Sequence, residues 1–178
     1  MLTINVDARE LVEETADGEI LFSYSEGGTV ELEHSLVSVS KWESKFHRSF
    51  VKRPPNNSDE LLEYIRCMVV SESTPGLVEH LSPDNFEAIE EYIHDPMTAT
   101  YMRDRPDSGG GGDVITSELI YYWMIQLNIP FECQHWHFKR LMTLIKLTNA
   151  KNNSAKVNPK RMAAQNRALN AKRKAGRH

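Results

Sequence analysis

The stretch TSELIYYWMIQLNIPFECQHWHFKRLMTLIKL, Thr116 to Leu147, decides how the rest of the chain is read. It carries two of the three tryptophans and the densest run of large apolar side chains. Leu119 and Trp123 stand four apart, and Leu141, Leu144 and Ile145 repeat the helical period. Between them Pro130 disfavours a helical conformation at Ile129. The spacing predicts a helix of about three turns, a short break at Asn128-Ile129-Pro130 and a second, longer helix, packed as an αα-hairpin. Upstream lies material that covers this hairpin; downstream lies a tail of different composition.

With 178 residues the chain has room for one domain with a real core. No run approaches the roughly 18 apolar residues of a membrane span, and the first residues carry acids where a signal peptide carries bases. A cytosolic protein is the expectation. Cys67 and Cys133 lie far apart in helical patterns, which predicts reduced, buried thiols. The net charge of −4 hides a division. Residues 1–138 hold nine Lys and Arg against all 25 Asp and Glu, a balance of −16, while residues 139–178 hold the other twelve bases and no acid. An acidic body with a basic arm follows, and the arm could meet nucleic acid, an acidic partner or the body's own acidic face.

The first 40 residues read as β. Leu2, Ile4 and Val6 alternate with polar residues, and Ile20–Tyr24 and Thr29–Leu32 flank Ser25-Glu26-Gly27-Gly28, a hairpin turn signal. The second strand is expected to run on through His34 to Val39, followed by a short helix over Ser40–His47 with Trp42 and Phe46 on one face. Pro54-Pro55 opens a linker that feeds a helix cap, with Asn57 and Glu60 at capping-box spacing and Ser58 as the rival cap. Leu61, Leu62, Ile65, Met68 and Val69 make an apolar helical stripe. Ser82-Pro83 starts another helix and Asp95-Pro96 ends it. Residues 103–113 read as a flexible glycine-rich loop, and the polar stretch after Leu147 leads to a last helix from Asn158 with little apolar surface.

No pattern for catalysis stands out. The four glycines at 109–112 lack the Lys-Ser/Thr pair that a phosphate loop needs. Cys133, His135 and His137 suggest zinc, but residues two apart on a helix point about 200° away from one another. Cys133 and His137 would make half a site, with no second pair of zinc-like spacing; packing is the better reading of Cys133, and a carbonyl or carboxylate contact that of His137. Trp42, Trp123 and Trp136 read as core. In the arm, Lys160, Arg161, Arg167, Lys172, Arg173, Lys174 and Arg177 could follow a phosphate backbone, although no aromatic residue is present to stack on bases.

Several segments carry a resemblance. Leu36 to Lys45 (with Ser40-Lys41-Trp42-Glu43), Tyr92-Ile93 with Pro96 to Thr100, the Ile120-Tyr121-Tyr122-Trp123-Met124 to Ile129-Pro130-Phe131-Glu132 hairpin and Asn166 to Asn170 together resemble a family of bacteriophage proteins encoded among tail genes. That family is associated with the tail assembly chaperones of long-tailed phages. The likeness covers most of residues 30–175.

The resemblance implies a non-enzymatic chaperone that binds the tape-measure protein, keeps its apolar surfaces from aggregating and supports polymerisation of the tail-tube protein around it. It implies a host-cytoplasmic location, and it offers no catalytic residue, metal or cofactor to carry over. The alternatives are a virion structural protein of the tail, connector or baseplate, and a non-specific nucleic-acid-binding protein acting through the arm. A homo-oligomer is compatible with each. The fold expected is α+β: a β-hairpin element over 1–40, a helical domain over 41–148 and a basic arm over 149–178. Partner contact is placed on the exposed side of the central hairpin, at Tyr121, Tyr122 and Phe138, and on Lys160, Arg161, Arg167, Lys172 and Arg173 of the arm.

Overall fold

A computed structural model of the chain describes residues 1–14, 17–18, 20–100, 114–155 and 167. It shows an α+β fold. Five strands run over Leu2–Val6 (β1), Arg9–Glu14 (β2), Ile20–Ser25 (β3), Gly28–Leu32 (β4) and Val69–Glu72 (β5). Five α-helices follow or interleave: Leu36–Phe46 (α1), Ser58–Met68 (α2), Pro83–His94 (α3), Ser117–Gln126 (α4) and Phe138–Ala155 (α5), with 3₁₀ turns at Leu77–His80 and Phe131–His135. No helix among the described residues is long and apolar enough to cross a membrane.

The β-element differs from the expected hairpin. Pairing runs in one register from Leu2↔Leu32 through Val6↔Gly28 to Arg9↔Ser25 and Glu14↔Ile20. β1 and β2 are therefore one arm of a long hairpin, and β3 and β4 the other. The Ser25-Glu26-Gly27-Gly28 signal is a kink within an arm rather than the turn between two strands. Gly27 has φ +71°, and a Cβ there would meet the Val6 carbonyl oxygen and the Ala8 nitrogen at 2.6 Å, so the backbones cross too closely for a side chain. Below the kink, Ile4, Val6, Val30 and Leu32 bury the alternating face of the β1–β4 pair. β5 joins the free edge of β4, in the order β1-β4-β5, so the sheet is not confined to the first 40 residues. Beyond the kink, β2 and β3 continue as a separate two-stranded ribbon.

Residues 34–39 are not a continuation of β4. Ser35 caps α1 in a capping box with Ser38, and Leu36, Val39, Trp42 and Glu43 then fall on one buried helical face. The reciprocal cap satisfies backbone groups that a strand would have needed a neighbour to satisfy. α2 is capped by Asn57, whose side chain accepts from the Glu60 N–H, while the Glu60 carboxylate turns back to the Asn56 N–H. Its apolar stripe ends at Met68, because Val69 opens β5 and does not extend the helix. α3 starts on the Ser82–Asn85 capping box with Pro83 in its first turn, and Asn85 Nδ2 also donates to the Asn5 carbonyl, fastening α3 to β1.

The central stretch breaks where Pro130 requires, with Asn128 in the left-handed region (φ 52°). It is not a simple αα-hairpin. A 3₁₀ turn occupies Phe131–His135, α5 begins only at Phe138, and α4 makes its close backbone approach to α1. α5 also runs past Leu147 to Ala155, with the Thr143 and Thr148 hydroxyls donating to the carbonyls four residues back. The loop at 103–113 and the arm helix expected from Asn158 lie outside the described residues, apart from Arg167, which is helical and exposed.

These elements meet at His34. Its carbonyl accepts from the Phe138 N–H (2.8 Å), and an antiparallel bridge pairs Ser35 with His137. The Glu33 N–H donates to the Met68 carbonyl (2.8 Å), and the His34 N–H reaches the Tyr92 hydroxyl (3.4 Å). Three helices and the end of the sheet are thus tied to three consecutive residues.

Candidate partner-binding face

α4 owes its position to its first turn. The Thr116 side chain accepts from the Leu119 N–H. The Ser117 N–H donates to one oxygen of the buried Glu43 carboxylate and the Phe50 N–H to the other, both at 2.7 Å. Glu43 lies on α1, so one carboxylate joins α1, the segment after it and the start of α4. Ser49 Oγ donates to the Ile115 carbonyl and closes the same corner.

Held this way, α4 buries Ile120 and Met124 completely, with Tyr121, Trp123 and Leu127 partly covered. Yet Leu119 to Ile125 is seven consecutive aliphatic or aromatic residues. A helix apolar on all sides is ordinarily covered on all sides. Here Tyr122 is 54% exposed and Ile125 56%, one helical turn apart, and Phe131 on the following 3₁₀ turn is 52% exposed. Tyr121 bridges them: Ile125 is four residues on, the Phe131 ring is 6.3 Å from its own, and its hydroxyl donates to Gln134 Oε1 at 3.0 Å. Burial pushes the Tyr121 hydroxyl above its ordinary pKa, so it stays a donor at neutral pH. The result is an uncovered apolar face on a firmly anchored helix.

Of the residues expected to contact a partner, Tyr121 and Tyr122 belong to this face. Phe138 does not. It is buried, with its ring among His34 and Phe50, because α5 begins against the end of the sheet rather than facing solvent. Arg167 is exposed, whereas Lys160, Arg161, Lys172 and Arg173 lie outside the described residues. Ile125 and Phe131, read from the sequence as part of the apolar run, are the members that sequence reasoning missed. A continuous apolar run gives no period from which an inside and an outside can be told.

Cys133, His135 and His137 do not share a helix, as the zinc argument had assumed, and each is committed elsewhere. Cys133 is buried in the 3₁₀ turn, and desolvation raises its thiol. His135 Nδ1 lies 3.0 Å from the Glu33 carboxylate. His137 Nε2 donates to the Tyr92 carbonyl at 2.9 Å, and burial lowers its pKa, so the ring is neutral. No group of three or more His, Cys, Asp or Glu placed to hold a metal occurs among the described residues.

A separate cleft was not foreseen. Between α2, α3 and the start of α5 lies a cleft of about 580 Å³, walled by Phe50, Leu61, Tyr64 and Phe138, with His34 and Lys139 among its polar groups. Tyr64 hydrogen-bonds His34 Nδ1, while the Ser38 hydroxyl hydrogen goes to the Ser35 carbonyl. Burial, then His137 and Lys139, lower the His34 pKa to about 3, so this ring is neutral too. In the sequence His34 was one of several scattered histidines, and nothing local marked it. No protein family, curated protein or solved structure matches this chain.

Proposed function

We propose that the chain is a non-enzymatic assembly chaperone of a phage tail, holding an amphipathic helical segment of the tape-measure protein while tail-tube subunits assemble. The uncovered face of α4 carries the reading. Tyr122 and Ile125 on α4 and Phe131 on the 3₁₀ turn after it are each more than half exposed, and the first turn of α4 is fixed by a buried hydrogen bond. A rigid aromatic and aliphatic strip of this kind matches the repeating apolar side of a long helix, as grooves that receive helices do. The resemblance at Ser40-Lys41-Trp42-Glu43 and along the 120–132 segment supplies the identity of the client.

The test is capture of tape-measure protein from infected cells at mid-assembly, alongside mass spectrometry of finished particles. The chaperone reading expects capture in the cell and absence from the particle. It also expects Tyr122→Ser with Ile125→Ser to weaken capture about tenfold or more, since aromatic residues at the centre of an interface dominate its energy. Presence in the particle would replace this reading with the virion structural alternative.

A further inference from the structure

We propose that the C-terminal arm, residues 156–178, docks in the same chain on one face of the β2–β3 ribbon. The ribbon carries exposed apolar residues at every second position of β3: Ile20 is 59% exposed, Phe22 74% and Tyr24 66%. Alternate positions of a strand share a face, so these three form one stripe. Their cross-strand partners in the register are Glu14, Val12 and Glu10. A two-stranded ribbon is marginal alone in water, and an apolar strip on it is a surface awaiting cover.

The sequence contains the matching cover. Residues 7–26 hold seven acids and one base, whereas residues 156–178 hold eight bases and no acid. The arm also offers Val157, Met162 and Leu169 for the stripe. In the body, Arg48 and Arg66 are already engaged by Glu60, Glu63 and Glu79.

Reach permits the contact within one chain. α5 starts beside His34 and ends at Ala155, and the path from there to Phe22 is at most about 67 Å at ordinary helix and strand rises. Extended, the arm carries Lys172 and Lys174 about 56 and 63 Å from Ala155, so its distal part meets the ribbon wherever α5 and the hairpin do not point directly apart. A tethered segment within reach sees its target at roughly millimolar effective concentration, well above the concentration of a second copy in dilute solution, which favours the same-chain contact. This inference does not involve the α4 face and does not rest on the tape-measure reading.

Carbodiimide cross-linking of the full chain, which joins amines to carboxylates without a spacer, tests it. Mass spectrometry is expected to find Lys172 and Lys174 joined mainly to Glu10, Glu14 and Asp17. Those links are expected to fall at least about fivefold in the Phe22→Ser, Tyr24→Ser double variant, whose sites are exposed and leave the core intact. They are also expected to fall when salt rises from about 50 mM to about 500 mM. Links spread evenly over body acids such as Glu87, Glu90 and Glu91, or yields unchanged in the double variant, overturn the docking. In a mixture of isotope-labelled and unlabelled protein, links that join the two forms overturn the same-chain arrangement and make the arm a contact between copies.

Discussion

α1 and α4 are of similar length, start on hydroxyl caps, pack on each other and share the Glu43 carboxylate, but their sequences relate differently to their surroundings. α1 turns Leu36, Val39 and Trp42 inward and leaves Lys41, Ser44 and Lys45 in water. Its buried Ser38 and Glu43 are paired, with Ser35 and with the Phe50 and Ser117 N–H groups, and among its buried polar groups the Trp42 indole N–H alone lacks a partner. α4 has the same kind of buried side, yet its solvent side carries Tyr122 and Ile125 beside Glu118 and Gln126. Stability explains α1 in full and only half of α4. The half that it leaves over is where a partner is expected.

That contrast can be broken by mutation, and the largest effect belongs to α1. Trp42→Ala removes a fully buried ring stacked on Phe46 and edge-on to Phe50, and is expected to cost about 3–5 kcal/mol in chemical denaturation. Glu43→Ala strands the Phe50 and Ser117 N–H groups together, and a loss of about 3 kcal/mol is expected in the same assay. If α4 were held by its apolar contacts alone, that loss would stay below about 1 kcal/mol.

A third expectation concerns the residue just before the α1 cap. His34 is held near pKa 3 in the folded chain against an ordinary 6.5, so the unfolded chain binds the proton more tightly. Its contribution is complete above pH 6.5 and is lost as the pH falls toward 3, with a slope of up to ~1.4 kcal/mol per pH unit. Urea midpoints measured from about pH 7 to about pH 4 are expected to fall, and His34→Gln to flatten the trend. The smallest effect is on α4. Tyr122→Ser and Ile125→Ser are each expected to change stability by less than about 0.5 kcal/mol, while client capture drops as described. A large stability loss there would mean that the face is ordinary core and erase the contrast.

The legible parts of this fold were those governed by local chemistry. Asn57, Ser82-Pro83, Asp95 and the break at Pro130 each act within a turn of backbone, and each is where the sequence places it. The parts misread depend on distant chain. Ser25–Gly28 has turn composition, but Gly27 is needed because Val6 and Ala8 pass against it. Leu36-Val37-Ser38-Val39 alternates like a strand, and the Ser35–Ser38 box decides for helix. β5 had no signal beyond a helical stripe one residue too long, because its pairing partner lies far upstream on β4. The same limit governs the candidate site: Phe138 could be placed inside only once the end of β4 was known to meet it.

The union of His34 with Phe138 has a consequence in time. The segments it joins are far apart in sequence, and the bond between them closes a very long loop. Closure of a long loop carries an entropy cost that local turns do not, and contacts of high sequence separation slow folding. Until Phe138 arrives, the His34 carbonyl lacks this partner, and Phe50 and Tyr64 lack the ring that completes their wall. A chain emerging from the ribosome can therefore cap its early helices and zip its long hairpin first, and it completes this wall of its interior only after Phe138 has emerged.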